Sequence, residues 1–153
     1  MLSKLKSFLF ADGGSGATPA SDDEAARLAC AVLLAEAGLM DGSLDGAEHD
    51  SIVHLLGKRF ALDAAQAAAL LDAALAEARR STELYGHARR VKDHFSYDDR
   101  VELMEMLWEV VYADGALHDY ESNLMRRLAG LLYVEDVDSG AARKRAMDRL
   151  GLS

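Results

Sequence analysis

The pattern Asp-Gly-x-Leu-x-x-x-Glu occurs twice in this chain, each time between two apolar stretches of helical spacing. The copies are Asp41-Gly42-Ser43-Leu44-Asp45-Gly46-Ala47-Glu48 and Asp114-Gly115-Ala116-Leu117-His118-Asp119-Tyr120-Glu121. A sequence that repeats apolar helix, acidic turn and apolar helix is restricted to folding as helical hairpins. The copies align without gaps at an offset of 73 residues, which also pairs Leu34 with Leu107, Glu36 with Glu109 and Leu55 with Leu128. This points to an internal duplication, and two copies are too few for a solenoid. The expected architecture is all-α: a compact bundle of about seven helices built on a duplicated helix–acidic turn–helix unit.

The rest of the chain agrees. Ala and Leu dominate, and the single proline, Pro19, leaves most of the chain uninterrupted. Strong helix formers with few β-branched residues favour helix over strand. A length of 153 residues suggests one domain. Residues 1–20 are expected to be an amphipathic N-terminal segment and a flexible linker, and residues 21–153 the helical domain. In the segment, Leu2, Leu5, Phe8 and Leu9 share a helical face beside Lys4 and Lys6. The linker's glycines are not followed by Gly-Lys-Ser/Thr, so they form no phosphate-binding loop.

Helix boundaries can be read from capping residues. Ser21 with Glu24, and Asp63 with Gln66, have capping-box spacing, and Ser96 precedes another helix. The first helix is expected to run to about Met40 with Leu28, Val32, Ala35 and Leu39 along one stripe. The next, from about Gly46 to Arg59, carries Ile52, Leu55 and Leu56. Further helices carry Leu70, Leu71 and Leu75; then Leu84, Ala88 and Val91 over 82–93; then Val101, Met104, Leu107, Trp108 and Val111. After the second turn come Leu124, Leu128, Leu131 and Leu132, and a last helix over about 138–149 with Ala142, Ala146 and Leu150.

Charge and cysteine content exclude several function classes. The net charge of −9 opposes binding to phosphate backbones, so no nucleic-acid partner is expected. The basic clusters Arg79-Arg80, Arg89-Arg90 with Lys92, and Arg143-Lys144-Arg145 with Arg149 read as solvated helix faces. Cys30 is the only cysteine, so no intrachain disulfide can form, and its apolar neighbours mark it as a small buried hydrophobe. A reducing, cytoplasmic setting fits. No apolar run approaches the ~20 residues that span a bilayer, and the N-terminus does not read as a signal peptide. Residues 1–10 are a candidate for weak peripheral membrane contact or for docking on a partner.

The acidic turns admit two readings. In the first they punctuate helices: Gly42 and Gly115 suit the left-handed position past a helix end, Leu44 and Leu117 tuck into the core, and Asp45 with Glu48 forms a capping box. In the second they bind an ion. Asp41 and Asp114 fall at helix C-terminal ends, where the dipole disfavours negative charge. Each is followed seven residues later by Glu48 or Glu121, with Asp45 added in the first turn and His118 in the second. Clustered oxygens suit hard divalent cations such as Ca²⁺ and Mg²⁺, and His118 would admit a transition metal such as Mn²⁺ or Zn²⁺. The metal-ligand candidates are therefore Asp41, Asp45, Glu48, Asp114, His118 and Glu121. Neither turn is an ordinary EF-hand, because the twelfth position that should hold a bidentate acid is Ile52 or Met125.

Tyr112-Ala-Asp-Gly-Ala-Leu-His-Asp-Tyr-Glu121, flanked by Leu107-Trp108-Glu109 and Leu128-Ala-Gly-Leu-Leu132, resembles the bacterial TerB-like family linked to tellurite resistance. Glu83-Leu84-Tyr85, His94-Phe95-Ser96 and the first Asp-Gly turn also fit, and the resemblance covers about residues 21–135. It implies a compact helical domain associated with stress and metalloid resistance, with acidic residues suspected of binding metal and no established reaction. By position, Asp41, Glu48, Asp114 and Glu121 are the family-like acids. The first turn departs from the pattern, having Gly38-Leu39-Met40 where the family usually places Ala before Asp-Gly.

No enzymatic constellation is readable. His49, His54, His87, His94 and His118 lack metalloprotease spacing, and His87 with His94 fits a structural role. Trp108 and Tyr112, four apart, read as core. The expectation is a non-enzymatic ion-binding module, with a protein-interaction domain, for an unidentified protein partner, as the rival.

Overall fold

The computed structural model describes residues 21–39, 44–80, 84–113 and 119–152, with the side chains of 21–23 and 119–121 left out. Among the described residues there are seven helices and no strand: α1 Ser21–Gly38, α2 Gly46–Phe60, α3 Ala64–Arg80, α4 Leu84–His94, α5 Tyr97–Val111, α6 Asp119–Leu131 and α7 Asp136–Leu150. The N-terminal segment and linker proposed for residues 1–20 lie outside the described residues, as does the side chain of Ser21.

The helices start where short polar side chains can satisfy their first amides. Asp63 Oδ1 accepts from Gln66 N at 2.8 Å while Gln66 Oε1 accepts from Asp63 N at 3.0 Å, closing the expected capping box before α3. Ser96 Oγ accepts from Asp99 N at 3.2 Å and opens α5. Helix ends use a left-handed residue in three places: Ala61, Tyr133 and Gly151, at φ 55, 57 and 73°. At each, the following amide reaches back five residues, from Leu62 to Gly57 O, Val134 to Ala129 O and Leu152 to Met147 O, as in a Schellman turn.

The core forms around α1, which touches α2, α3, α4, α5 and α6. A single apolar stripe was expected on this helix. Instead, Ala26, Ala29–Ala35 and Ala37 are all buried, because neighbours surround it and a helix apolar on every side belongs in the interior. α5 is its counterpart in the second unit, burying Leu103, Met104, Leu107, Val110 and Val111. Each fully buried Leu, Ile or Phe side chain contributes roughly 1.5–3 kcal/mol relative to exposure. The duplication is visible in the helix limits: α1 and α5 end at Gly38 and Val111, and α2 and α6 begin at Gly46 and Asp119, both pairs at the sequence offset of the two turns.

α7 lies outside this arrangement, packed mainly on α5 with lesser contact to α6. Its buried residues are small, Ser139, Ala142 and Ala146, and polar contacts fasten it along its length. Tyr97 Oη donates to Asp138, Trp108 Nε1 donates to Ser139 Oγ at 3.4 Å, and Arg143 Nε donates to Tyr112 Oη at 2.6 Å. Arg145 and Arg149 pair with Glu105, and Arg149 reaches Glu109 at 3.1 Å. Leu150, expected on the inward stripe, is instead 40% exposed as the last residue of α7.

Candidate functional site at the acidic turns

In the first turn, Leu44 packs against the core and Asp45 takes an extended conformation, φ −78° and ψ 174°, as the N-cap of α2. Asp45 Oδ1 accepts from Glu48 N at 2.7 Å, and Glu48 Oε1 accepts from Asp45 N at 3.1 Å. Asp45 is exposed and Glu48 only 3% exposed. The structure thus brings Asp45 and Glu48 together as the capping box their spacing suggested, with both carboxylates at the positive end of the α2 dipole.

The helices that lead into the two turns end side by side. A β-carbon placed on Gly38 would lie 3.5 Å from Val110 Cγ1, 3.4 Å from Ile52 Cδ1 and 2.4 Å from Leu44 Cδ1. The absence of a side chain at Gly38 lets the end of α1, the entry of α2 and the last turn of α5 close on one another. Gly38, which departs from the family pattern in sequence, therefore has a packing reason here.

Asp41, Asp114 and His118 lie outside the described residues. Glu121 falls in the first turn of α6, and its side chain is likewise outside them. Gly42, Gly115 and Leu117 share that position. Among the described residues no group of three or more His, Cys, Asp or Glu side chains is gathered to hold a metal.

The duplicated acids Glu36 and Glu109 sit one turn or less before these helix ends and differ in setting. Burial pushes the carboxyl of Glu36 above its ordinary range. Glu109, 7% exposed, instead holds an ion pair with Arg149. Glu36 was not among the candidate ligands; its only sequence signal is its alignment with Glu109.

The remaining candidates have structural roles. Cys30 is buried, and burial pushes its thiol up to about 12 against the lowering influence of Arg59. The cavity beside it is about 10 Å³, roughly space for one water, so the thiol is neither ionised at neutral pH nor near a substrate-sized space. Arg59 crosses from α2 to pair with Asp99 at 3.0 Å and Glu102 at 3.2 Å. His87 lies 3.9 Å from Glu77, and His94 stands edge-on to Phe95. Trp108 and Tyr112 stack at 6.0 Å beneath Arg143. The basic clusters face acids: Arg80 pairs with Glu77, Arg89 with Asp93, and Arg145 and Arg149 with Glu105. No helix among the described residues is long and apolar enough to cross a membrane.

No curated protein and no solved structure matches the chain. The family model for the tellurite resistance protein TerB matches residues 27–144, from the second turn of α1 into α7, and takes in both acidic turns. With that match over most of its length and its all-helical architecture, the chain belongs to the TerB family.

Proposed function

We propose that this TerB-family protein is a non-enzymatic, cytoplasmic module that binds a divalent cation through its acidic turns as part of a tellurite- or stress-linked response. The ligands are drawn from Asp41, Asp45, Glu48, Asp114, His118 and Glu121. The observation that carries the reading is the meeting of the two helix ends at Gly38 and Val110. Asp41 follows Gly38 by three residues and Asp114 follows Val110 by four in the sequence, and the helices that precede the two turns end side by side. A divalent ion would offset the repulsion among these carboxylates, and an oxygen-rich set suits Ca²⁺, Mg²⁺ or Mn²⁺, with His118 extending the choice to Zn²⁺. A carboxylate offers about four lone-pair sites, so the amide on Asp45 Oδ1 does not exhaust that residue as a ligand.

The capping box supports the rival reading, in which the turns only start helices and the domain binds a protein partner, with residues 1–10 adding weak membrane contact. Thermal melting with each of the four ions separates the two. A ligand that binds only the native state raises the melting temperature with its concentration. The metal reading expects such a rise for the wild type and a smaller one for Asp41→Ala and Asp114→Ala. No rise with any ion, together with unchanged or stabilised variants, refutes it. Equal co-sedimentation with anionic vesicles by the full chain and by a chain beginning at Ser21 removes the membrane role.

A further inference from the structure

We infer that the face formed by α4 and the end of α6 docks an acidic segment of a partner polypeptide, with Tyr133 as its anchor. Tyr133 occupies the left-handed position that ends α6, at φ 57°. An L residue with a bulky side chain is disfavoured there, and glycine is the usual occupant. The turn itself is complete without it: Tyr133 N donates to Gly130 O at 3.2 Å, Val134 N donates to Ala129 O at 2.9 Å, and Val134 and Ala129 are both buried. The equivalent position after α7 is Gly151. The tyrosine ring adds little to the core, being 66% exposed. An aromatic ring held outside the core at a backbone position that opposes it is a feature to explain by what the ring meets.

The surroundings indicate the chemistry. Lys92 Nζ stands 4.7 Å above the Tyr133 ring, and α4 packs against α6. On α4, Tyr85, Arg89 and Lys92 follow one another at spacings of four and three, one helical face. Tyr85 is 59% exposed. In a chain of net charge −9, α4 carries Arg89, Arg90 and Lys92 against the single acid Asp93, with Arg90 also acting on Glu77 of α3; α6 adds Arg126 and Arg127, its own acids Asp119 and Glu121 falling at its opposite end. Asp93 lies 3.7 Å from Arg89 and 3.5 Å from Lys92; such exposed pairs are weak and yield readily to a competing carboxylate. Glu135 and Asp136 border the face at the start of α7. Two exposed tyrosines among cations match the residue types that anchor protein interfaces.

The size of the partner follows from charge. Charges beyond about 8 Å are largely screened at physiological salt, so a single segment confined to this face meets its local charges, in which Arg89, Arg90, Lys92, Arg126 and Arg127 outnumber Asp93, Glu135 and Asp136. A membrane or nucleic acid, extending past the face, also meets the acids of the rest of the surface.

The test uses the full chain and a fluorescein-labelled amphipathic helical peptide with Leu on one face and Glu on the other. Fluorescence anisotropy follows binding for the wild type, Tyr133→Gly and Lys92→Glu, with an oligonucleotide and phosphatidylglycerol vesicles in parallel. Wild-type binding that weakens at least about tenfold in each variant is expected, while Tyr133→Gly melts at or above the wild-type temperature because it relieves the left-handed residue. This divergence of stability and binding is not produced by damage to the fold. Undetectable peptide binding, equal affinity in all three proteins, or stronger wild-type binding to the oligonucleotide or vesicles would overturn the inference.

Discussion

The ion pair between Arg59 and Asp99 joins α2 to α5 across the core, and its two halves should fail unequally. Arg59 Nη2 and Asp99 Oδ1 are 3.0 Å apart, with side chains 9% and 2% exposed. Removing one member of a buried pair leaves a charge without compensation and costs roughly 3–5 kcal/mol. Arg59 has a second partner, Glu102 at 3.2 Å, whose side chain is 46% exposed. After Asp99→Ala the guanidinium can lean on Glu102, so the loss falls at about 2–3 kcal/mol, at or just below that range. After Arg59→Met, Asp99 keeps no such cation among the described residues, and the loss falls in the upper half of that range. For a chain of this size each kcal/mol lowers Tm by about 2–4 °C, so Arg59→Met should melt roughly 10 °C or more below the wild type. Replacing both, as Arg59→Met with Asp99→Leu, removes both desolvated charges and should recover stability to within about 1 kcal/mol of the wild type. Urea denaturation followed by the fluorescence of Trp108, the sole tryptophan and a core residue of α5, measures all three variants. Additive losses in the double variant, or equal losses in the two single ones, would refute the reasoning.

Ala61 ends α2 at φ 55° and ψ 47°; Ala61→Gly should stabilise the protein by about 1 kcal/mol in the same denaturation assay, since a β-carbon is disfavoured in this conformation. Burial raises the Glu36 carboxyl above its unfolded value, so the stability linked to its protonation is present at acid pH and lost as pH rises through the folded value. Glu36→Gln should therefore melt above the wild type at neutral pH and close to it near pH 3, a gap that calorimetry across pH would reveal. Glu105 behaves oppositely: burial tends to raise it, but the hydrogen bonds from Arg145 and Arg149 prevail and lower it. Its contribution is present above the unfolded carboxylate range and lost as pH falls through the depressed value. The Trp108 environment beneath α7 should accordingly change on acidification in the wild type and change less in Glu105→Gln.

Local signals explain which parts of this fold could be read from the chain. Asp45 with Glu48, Asp63 with Gln66, and Ser96 act on amides within three residues, so their spacing carried the helix starts directly. The offset between the two turns likewise survived as matching helix limits. Features that depend on distant neighbours were not visible. The all-round burial of α1 depends on five other helices, and Arg59 and Asp99 lie far apart in sequence. Period alone puts Leu150 inward, and it does not reveal that the last residue of α7 is exposed. Ala61 and Tyr133 hold left-handed helix ends without being glycine, the residue that marks such ends in a sequence. At the candidate site, the capping-box half was legible because it is local, whereas the approach of α1 to α5 at Gly38 is a tertiary fact.

Equilibrium dialysis reads directly whether the acidic turns bind a divalent cation. The wild-type chain and the double variant Asp41→Asn with Asp114→Asn would each be dialysed against Ca²⁺, Mg²⁺, Mn²⁺ and Zn²⁺. Saturable binding of at least one ion by the wild type is expected, with affinity at least about tenfold weaker in the variant. Absence of binding for all four ions, or equal affinity in the two proteins, would contradict it.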